Sequence, residues 1–167
     1  MLGAKTTRTL ARRSIMEALP QGKERRLVLR LLNYWRDLGR DESFPALGDL
    51  DPDAMGDMWP FCFVLRVNAA VTASALTYIG PEILADCDEA PAEPTLETLP
   101  DATLIKHATA FVGQTLRRKV PITKGGEFID HRGRAIQFRS IVLPLAEDGR
   151  TVDHLLGAAN CRELPKD

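Results

Sequence analysis

The residues that could carry chemistry in this chain are scattered histidines and acidic residues. His107, His131 and His154 lie far apart, and no two of them have the spacing of a helical metal site. Asp153 and His154 suggest an acid–base pair, but adjacent strand residues face opposite sides, so we expect them not to share a site. The P-loop, HExxH and GxSxG motifs are absent from the sequence. We therefore predict no catalytic residue and no metal site, and we expect that the protein is not an enzyme.

The composition is that of one globular domain. The chain has 167 residues, of which 44% are hydrophobic and 27% charged, which suits a single domain with a real core. Its apolar runs are much shorter than the about 20 residues that a membrane span needs. Cys62, Cys87 and Cys161 are odd in number and widely spaced, which argues against a disulfide framework and favours a reducing compartment. We therefore expect a cytoplasmic protein without a membrane span.

Charge is distributed unevenly along the chain. Residues 1–40 contain ten Lys or Arg against three acids, whereas residues 41–103 contain thirteen acids and one Arg. A basic segment beside an acidic one favours docking within the chain or onto a partner protein. The basic segment lacks interleaved aromatic residues and any DNA-reading motif, so nucleic acid is disfavoured as a partner. We expect residues 1–22 to form a basic extension with a short helix near 8–18, followed by one domain at 23–164.

The elements that would position functional residues follow from periodicity. Leu27, Leu31, Tyr34, Trp35 and Leu38 form one apolar stripe, which predicts an amphipathic helix over residues 23–38. Asp51, followed by Pro52, is the predicted N-cap of a short helix, and a second, long helix is predicted from an N-cap at residue 101 to about residue 119. Period-two runs and turn signals predict five strands, at residues 61–67, 74–80, 122–130, 135–146 and 152–162.

The predicted strands are grouped apart from the helices. Such grouping is typical of an α+β fold with an antiparallel sheet, and turns at 131–133 and 147–150 would join the last three strands as hairpins. On strand 1, Phe61, Phe63, Leu65 and Val67 are expected to share one face. Leu76 and Tyr78 are expected to share one face of strand 2.

Two segments resemble the ends of an alphaproteobacterial family of small PAS-type domains. The helix with Tyr34 and Trp35, followed by the acidic stretch with Asp51 and Pro52, resembles the family's amino-terminal signature. The segment from Leu143 to Gly157 resembles its closing "LPL…DG…VD.LLG" pattern. The resemblance spans roughly residues 25–162. It implies a PAS-like five-stranded antiparallel sheet with a long helix on one face, and we expect the amino-terminal helix to cover the other face.

The resemblance also implies where a ligand would lie. In PAS domains a ligand occupies the space between the inner face of the sheet and the long helix. At the matching positions the cavity hypothesis names Phe63, Leu65, Leu76, Tyr78, His107, Phe111, Phe138 and Ser140. The alternative is that these residues fill a packed core. For the opposite face we expect an interface, within one chain or across a homodimer, formed by Leu27, Leu31, Tyr34, Trp35 and Val64.

The resemblance suggests two cofactors, haem and flavin, but the residues of this chain argue against both. His107 lies on the predicted long helix, where some haem-binding PAS proteins carry their proximal histidine, but no supporting motif accompanies it. Asn160, Cys161 and Arg162 resemble the flavin-reactive signature of LOV domains, but they fall at the end of strand 5 and not on a central helix. We therefore expect no tightly bound haem or flavin, and the identity of any cofactor stays open.

These inferences lead to one functional hypothesis and two alternatives. We expect a stand-alone PAS-type sensory and protein-interaction module of bacterial signal transduction. It would act through signalling partners, as a homodimer, with a small ligand as its gate. The first alternative is a sensor that holds a small molecule or cofactor constitutively. The second, which the residues favour less, is a nucleic-acid-associated regulator that uses the basic amino-terminal helices.

Overall fold

A five-stranded antiparallel sheet forms the centre of the protein. The computed structural model describes residues 23–39, 42–86 and 92–166. The strands are β1 (Cys62–Arg66), β2 (Ala75–Ile79), β3 (Ile122–Ile129), β4 (Ala135–Leu145) and β5 (His154–Glu163). Their order in the sheet is β2-β1-β5-β4-β3, and every neighbouring pair is antiparallel. The predicted α+β class and all five predicted strands are therefore confirmed.

Both predicted hairpins are present. The chain reverses at residues 131–133 between β3 and β4, and at 147–150 between β4 and β5. Gly133 and Gly149 have φ values of 80° and 79°, a left-handed conformation that costs glycine little. In the first turn the Asp130 carboxylate accepts hydrogen bonds from the backbone N–H groups of Arg132 and Arg134. These local bonds explain why the turns could be read from the sequence.

The prediction for β2 was wrong in one respect, because this strand contains a bulge. Val64 of β1 faces Tyr78, but the next residue, Leu65, faces Leu76, so Thr77 is an extra residue. A bulge breaks the period of two, and Leu76 and Tyr78 consequently belong to apolar clusters on opposite faces of the sheet.

Strands β1, β5 and β4 at the centre of the sheet are buried on both faces, whereas β3 at one edge is largely exposed. The inner cluster is defined by the buried residues Phe63, Leu65, Leu76, Ile83, Leu99, Leu104, Ile105, Ala108, Val112, Phe138, Val142, Leu155 and Ala159. The outer cluster is defined by the buried residues Leu27, Val28, Leu31, Met55, Met58, Cys62, Val64, Ile141, Leu143, Leu145, Leu156 and Ala158. Alternate residues of β1, β4 and β5 enter different clusters, as the strand period requires.

Helix α1 (Lys23–Leu38) covers the outer face, as predicted. Leu27, Val28 and Leu31 of this helix are buried against β4 and β5, whereas Leu29 is 46% exposed. The polypeptide then runs through the short helix α2 (Pro52–Met55), whose predicted N-cap, Asp51, accepts a hydrogen bond from the N–H of residue 53.

A 3-10 segment, Gly56–Phe61, connects α2 to β1. Phe61 ends this segment and packs against the outer cluster, which corrects its predicted place on the inner face of strand 1. The period of two begins only where the extended strand begins, at Cys62, so it could not be extrapolated backwards to Phe61.

The predicted long helix on the inner face is instead two short helices, α3 (Leu104–Ala108) and α4 (Val112–Arg118). Its N-cap is Thr103, whose side chain accepts from the Lys106 N–H, and not the residue at 101. At the break, the Thr109 hydroxyl donates to the Ile105 carbonyl over 2.8 Å. A threonine hydroxyl that bonds back to the preceding turn competes with the helical ladder.

The basic extension at residues 1–22, with its predicted helix at 8–18, lies outside the described residues. Within the described residues, no helix combines the length and the apolar character that crossing a membrane requires.

Candidate functional site

The apolar residues predicted to line a ligand cavity are brought together on the inner face. Phe63, Leu65, Leu76 and Phe138 all belong to the inner cluster, and the most exposed of them retains 7% of its surface. A Cβ atom added to Gly157 of β5 would lie 2.0 Å from Cζ of Phe63. The Phe63 ring therefore rests directly on the backbone of β5, and its position depends on glycine there.

His107 of α3 lies at the edge of this cluster, where it packs as an aromatic ring. Its imidazole stacks on Phe128 of β3, with centroids 4.1 Å apart and an interplanar angle of 10°, and lies 5.9 Å from Phe138. Burial lowers the pKa of His107 below its ordinary value of 6.5, and this effect outweighs the opposing effect of Asp101. His107 therefore behaves as a neutral, stacked side chain at neutral pH.

Ser140 was predicted as a polar cavity residue, and the structure gives it an unusual environment. Its hydroxyl on β4 is fully buried and has no hydrogen-bond partner among the described residues. The hydroxyl of Thr115 on α4, which the cavity hypothesis did not include, is in the same condition. A buried hydroxyl without a partner costs roughly 1–3 kcal/mol. The hydrogen-bonding capacity of both groups is therefore unused within the described residues.

The remaining two predicted cavity residues lie in different places. Phe111 is partly buried against the inner cluster and forms the N-cap of α4. Tyr78 lies on the outer side because of the bulge in β2, and there it stacks on Trp59 with centroids 4.1 Å apart. Its hydroxyl donates to the Trp59 carbonyl over 3.0 Å, and burial raises the pKa of the phenol, with a smaller effect from Cys62.

A groove of about 730 Å³ opens at the break between α3 and α4. None of its lining residues belongs to the sheet. His107 is the one member of the predicted cavity that lines it, and Lys106 lies in its wall with Nζ 3.5 Å from the Leu96 carbonyl. The other lining residues are Val71, Thr72, Leu96, Glu97, Asp101, Ala102, Thr109, Ala110, Val112 and Gly113. This groove was not predicted, because it exists only where the helix is interrupted.

The five predicted interface residues do meet, and they meet within one chain. Leu27, Leu31 and Val64 are buried in the outer cluster. Trp35 is partly buried and donates from Nε1 to the Pro144 carbonyl of β4 over 2.8 Å. The Tyr34 hydroxyl accepts a hydrogen bond from the Asp51 N–H over 2.9 Å. The homodimer itself stays a prediction, and α1 of the same chain already occupies the face on which that prediction rested.

An ion pair attaches α1 to the segment before β1. The guanidinium of Arg30 forms a forked contact with the Asp57 carboxylate, with distances of 2.7 and 3.4 Å. The hydrogen bonds from Arg30 lower the pKa of Asp57. Both side chains are largely exposed, so this pair contributes little to the packing of the helix.

Asp153, His154 and Cys62 each take part in a local hydrogen bond. Asp153 and His154 do contact each other, with Oδ1 and Nδ1 2.9 Å apart, which corrects the prediction that they face opposite ways. Asp153 precedes β5, so the strand alternation does not apply to it. Burial raises the pKa of the Cys62 thiol to about 12, and the thiol donates to the Met58 carbonyl. No cluster of three potential metal ligands occurs in the described part of the chain.

Comparison with known proteins finds similarity in three dimensions alone. No protein-family model and no curated protein matches this chain. A Rhodobacter sphaeroides LOV protein is 13% identical over 62% of this chain and 60% of its own length, with a TM-score of 0.42. This chain thus spans less than two thirds of that protein.

Two further solved structures are similar at the same level. A light-oxygen-voltage domain studied with a flavin analogue is 15% identical over 69% of this chain and 84% of its own, with a TM-score of 0.45. The amino-terminal domain of a Marinobacter aquaeolei diguanylate cyclase with a PAS/PAC sensor is 18% identical over 59% of this chain and 93% of its own, with a TM-score of 0.42. The strand order β2-β1-β5-β4-β3 and the apolar clusters on both faces define the fold of this chain without these likenesses.

Proposed function

We propose that this protein is a PAS-type sensory and protein-interaction module of bacterial signalling, in which α1 is the output element. The observation that carries the proposal is the attachment of α1 to the outer face of the sheet. The helix packs against the outer cluster through the buried side chains of Leu27, Val28 and Leu31. Trp35 attaches it to β4 through a single indole hydrogen bond. In this proposal the chain acts by binding in the cytoplasm and has no reaction of its own.

The mechanism is a shift between two arrangements of α1. In one, α1 lies on the sheet and its apolar stripe is buried. In the other, the stripe and the outer face are released for a partner. A ligand or partner shifts this equilibrium only by its differential affinity for the two arrangements. The hydrogen bonds of Tyr34 and Trp35 hold the carboxyl half of α1, and a typical bond of this kind contributes about 1 kcal/mol.

Hydrogen exchange tests whether α1 opens on its own. If α1 is an output element, its amides should exchange through an opening that costs less free energy than the opening of β4 and β5. Trp35→Phe keeps an aromatic ring but removes the bond to the Pro144 carbonyl. We expect this variant to exchange about fivefold faster in α1, with unchanged rates in β4.

Two results would reject this function for α1. The first is exchange of α1 only with the sheet, in one global unfolding event. The second is an equal effect of Trp35→Phe on α1 and on β4. Arg30→Gln serves as the matched control on the same helix, because its exposed ion pair should change the exchange of α1 little.

A second candidate function, constitutive binding of a small molecule, is supported by the groove at the break between α3 and α4. The groove volume of about 730 Å³ lies within the range of small-molecule sites. Native mass spectrometry of the untreated protein, with a denatured control, tests this function. Additional mass that disappears on denaturation would support it. The bare chain mass in both samples would reject it and leave the output role of α1 unaffected.

A further inference from the structure

Strand β3 is an edge of the sheet and has a neighbour on one side only. It pairs with β4 along its whole length, and no described strand pairs with its other side. Among the described residues, the exposed large apolar side chains are Leu29, Val120 and Ile129. Val120 precedes β3 and is 40% exposed, and Ile129 ends β3 and is 60% exposed. An uncovered edge of this kind is a template for another strand.

The hydrogen-bond phase of the hairpin shows which backbone groups β3 presents at this edge. The Asp130 N–H donates to the Arg134 carbonyl over 2.9 Å, so the N–H of residue 130 points towards the β4 side of the hairpin. Bonded and non-bonded pairs alternate in an antiparallel ladder. The N–H and C=O groups of residues 123, 125, 127 and 129 therefore point away from β4, and all four residues are exposed.

We propose that β3 pairs antiparallel with β3 of a second copy of this chain, about a two-fold axis through Gly125. Two-fold symmetry requires one residue of the strand to face its own copy. With Gly125 at the axis, Thr123 lies opposite the partner's Glu127. Ile129 then lies opposite the partner's Pro121, beside the partner's Val120. The two sheets become one continuous sheet, and this interface is independent of the role proposed for α1.

Charge and apolar surface select this register over its neighbours. Placing the axis at Lys124 would set two ammonium groups directly against each other, which is unfavourable. Placing it at Gly126 would set Ile129 against the partner's Thr123. The axis at Gly125 sets Lys124 against the partner's Gly126, which has no side chain. It also joins the exposed apolar residues at the two ends of β3, since antiparallel pairing brings the end of one strand to the start of the other.

The mass of the full chain in solution, measured by sedimentation over a range of concentrations, tests the dimer. We expect twice the chain mass of 18.5 kDa. Ile129→Lys places two charges in the interface and should weaken the dimer by at least about tenfold. Leu29→Lys changes an exposed apolar residue of α1 in the same way and should leave the mass unchanged. Both side chains are exposed, so neither variant should unfold the chain.

Cysteine pairing tests the register. Thr123→Cys combined with Glu127→Cys should form an intermolecular disulfide under mild oxidation, because bonded pairs have Cα atoms about 5.5 Å apart. Each single variant is the matched control and should not cross-link, since neither residue faces its own copy. A monomer at every concentration would overturn the proposal. So would a dimer that Leu29→Lys abolishes and Ile129→Lys leaves intact, or cross-linking of the double variant no greater than that of the singles.

Discussion

The two faces of the sheet are both covered, but by different means. On the outer face, α1 supplies one continuous helix of 16 residues whose buried positions recur with helical spacing, and α2 and the 3-10 segment add Met55 and Met58 beside it. On the inner face, the cover is made of α3, α4 and short 3-10 segments, with a break at Thr109. A groove opens at that break, whereas the outer helix is uninterrupted.

The two covers distinguish the need to bury an apolar sheet face from the way in which that face is buried. The face must be covered, because exposed apolar surface of that extent is unfavourable. The face does not determine how its cover is built. A continuous helix gives a cover that can move as one body, whereas several short segments give one that can open locally. The two proposed roles, docking on the outer side and small-ligand binding on the inner side, correspond to this difference.

The largest expected effect is the loss of stability when the Phe63 ring is removed, which measures how strongly the inner layer depends on that ring. Phe63→Ala removes a fully buried side chain that rests on the Gly157 backbone, so we expect a loss of about 3–5 kcal/mol in the free energy of unfolding. Phe111→Ala, at a partly buried position of the same layer, is the control and should cost clearly less. Chemical denaturation measures both values. Equal costs would mean that the inner cover has no dominant residue.

A somewhat smaller effect is expected in the outer layer. Leu31→Ala empties a fully buried position under α1 and should cost about 2–4 kcal/mol. Leu29→Ala, on the 46% exposed side of the same helix, should change stability by less than about 0.5 kcal/mol. The same denaturation assay compares them. If both substitutions were nearly neutral, α1 would not contribute to folding, and the contrast between the layers would disappear.

The smallest expected effect is a dependence of stability on pH. It should distinguish the inner layer from the outer one without the removal of a buried side chain from either. The pKa of His107 is lowered in the folded state, so its contribution to stability is complete above about pH 6.5 and is lost as the pH falls through the folded value. His107→Phe retains a ring against Phe128 but cannot be protonated. The melting temperature of the wild type should fall more than that of this variant between pH 7.5 and 5.5. Parallel decreases would contradict an inner layer that responds to acid.

Much of the fold could be predicted because its determinants are local. The stripe of α1, the Asp51 cap and the turns at Gly133 and Gly149 each depend on residues close together in the sequence. The resemblance and the periodicity therefore led to the same element order. The predicted cavity residues Phe63, Leu65, Leu76 and Phe138 also share one cluster, because strand alternation places them there.

The errors arose where one backbone feature shifted a periodic pattern. The extra residue at Thr77 moved Tyr78 to the other face, and no residue type in β2 signals such a bulge. The hydroxyl of Thr109 interrupts a stretch whose apolar spacing is helical throughout. A threonine within a predicted helix was the available signal, but threonine hydroxyls also point outward in unbroken helices. The groove could not be foreseen without knowledge of that break.

The placement of the aromatic residues has a spectroscopic consequence. The chain contains two tryptophans, Trp35 on α1 and Trp59 stacked on Tyr78, and both pack against the outer cluster. Intrinsic tryptophan fluorescence therefore reports on the outer side of the sheet. The groove lies on the other side of the sheet, and β2 connects the two sides because Leu76 belongs to the inner cluster and Tyr78 packs against the outer cluster. A change in emission on adding a compound that binds in the groove would show that the two sides communicate.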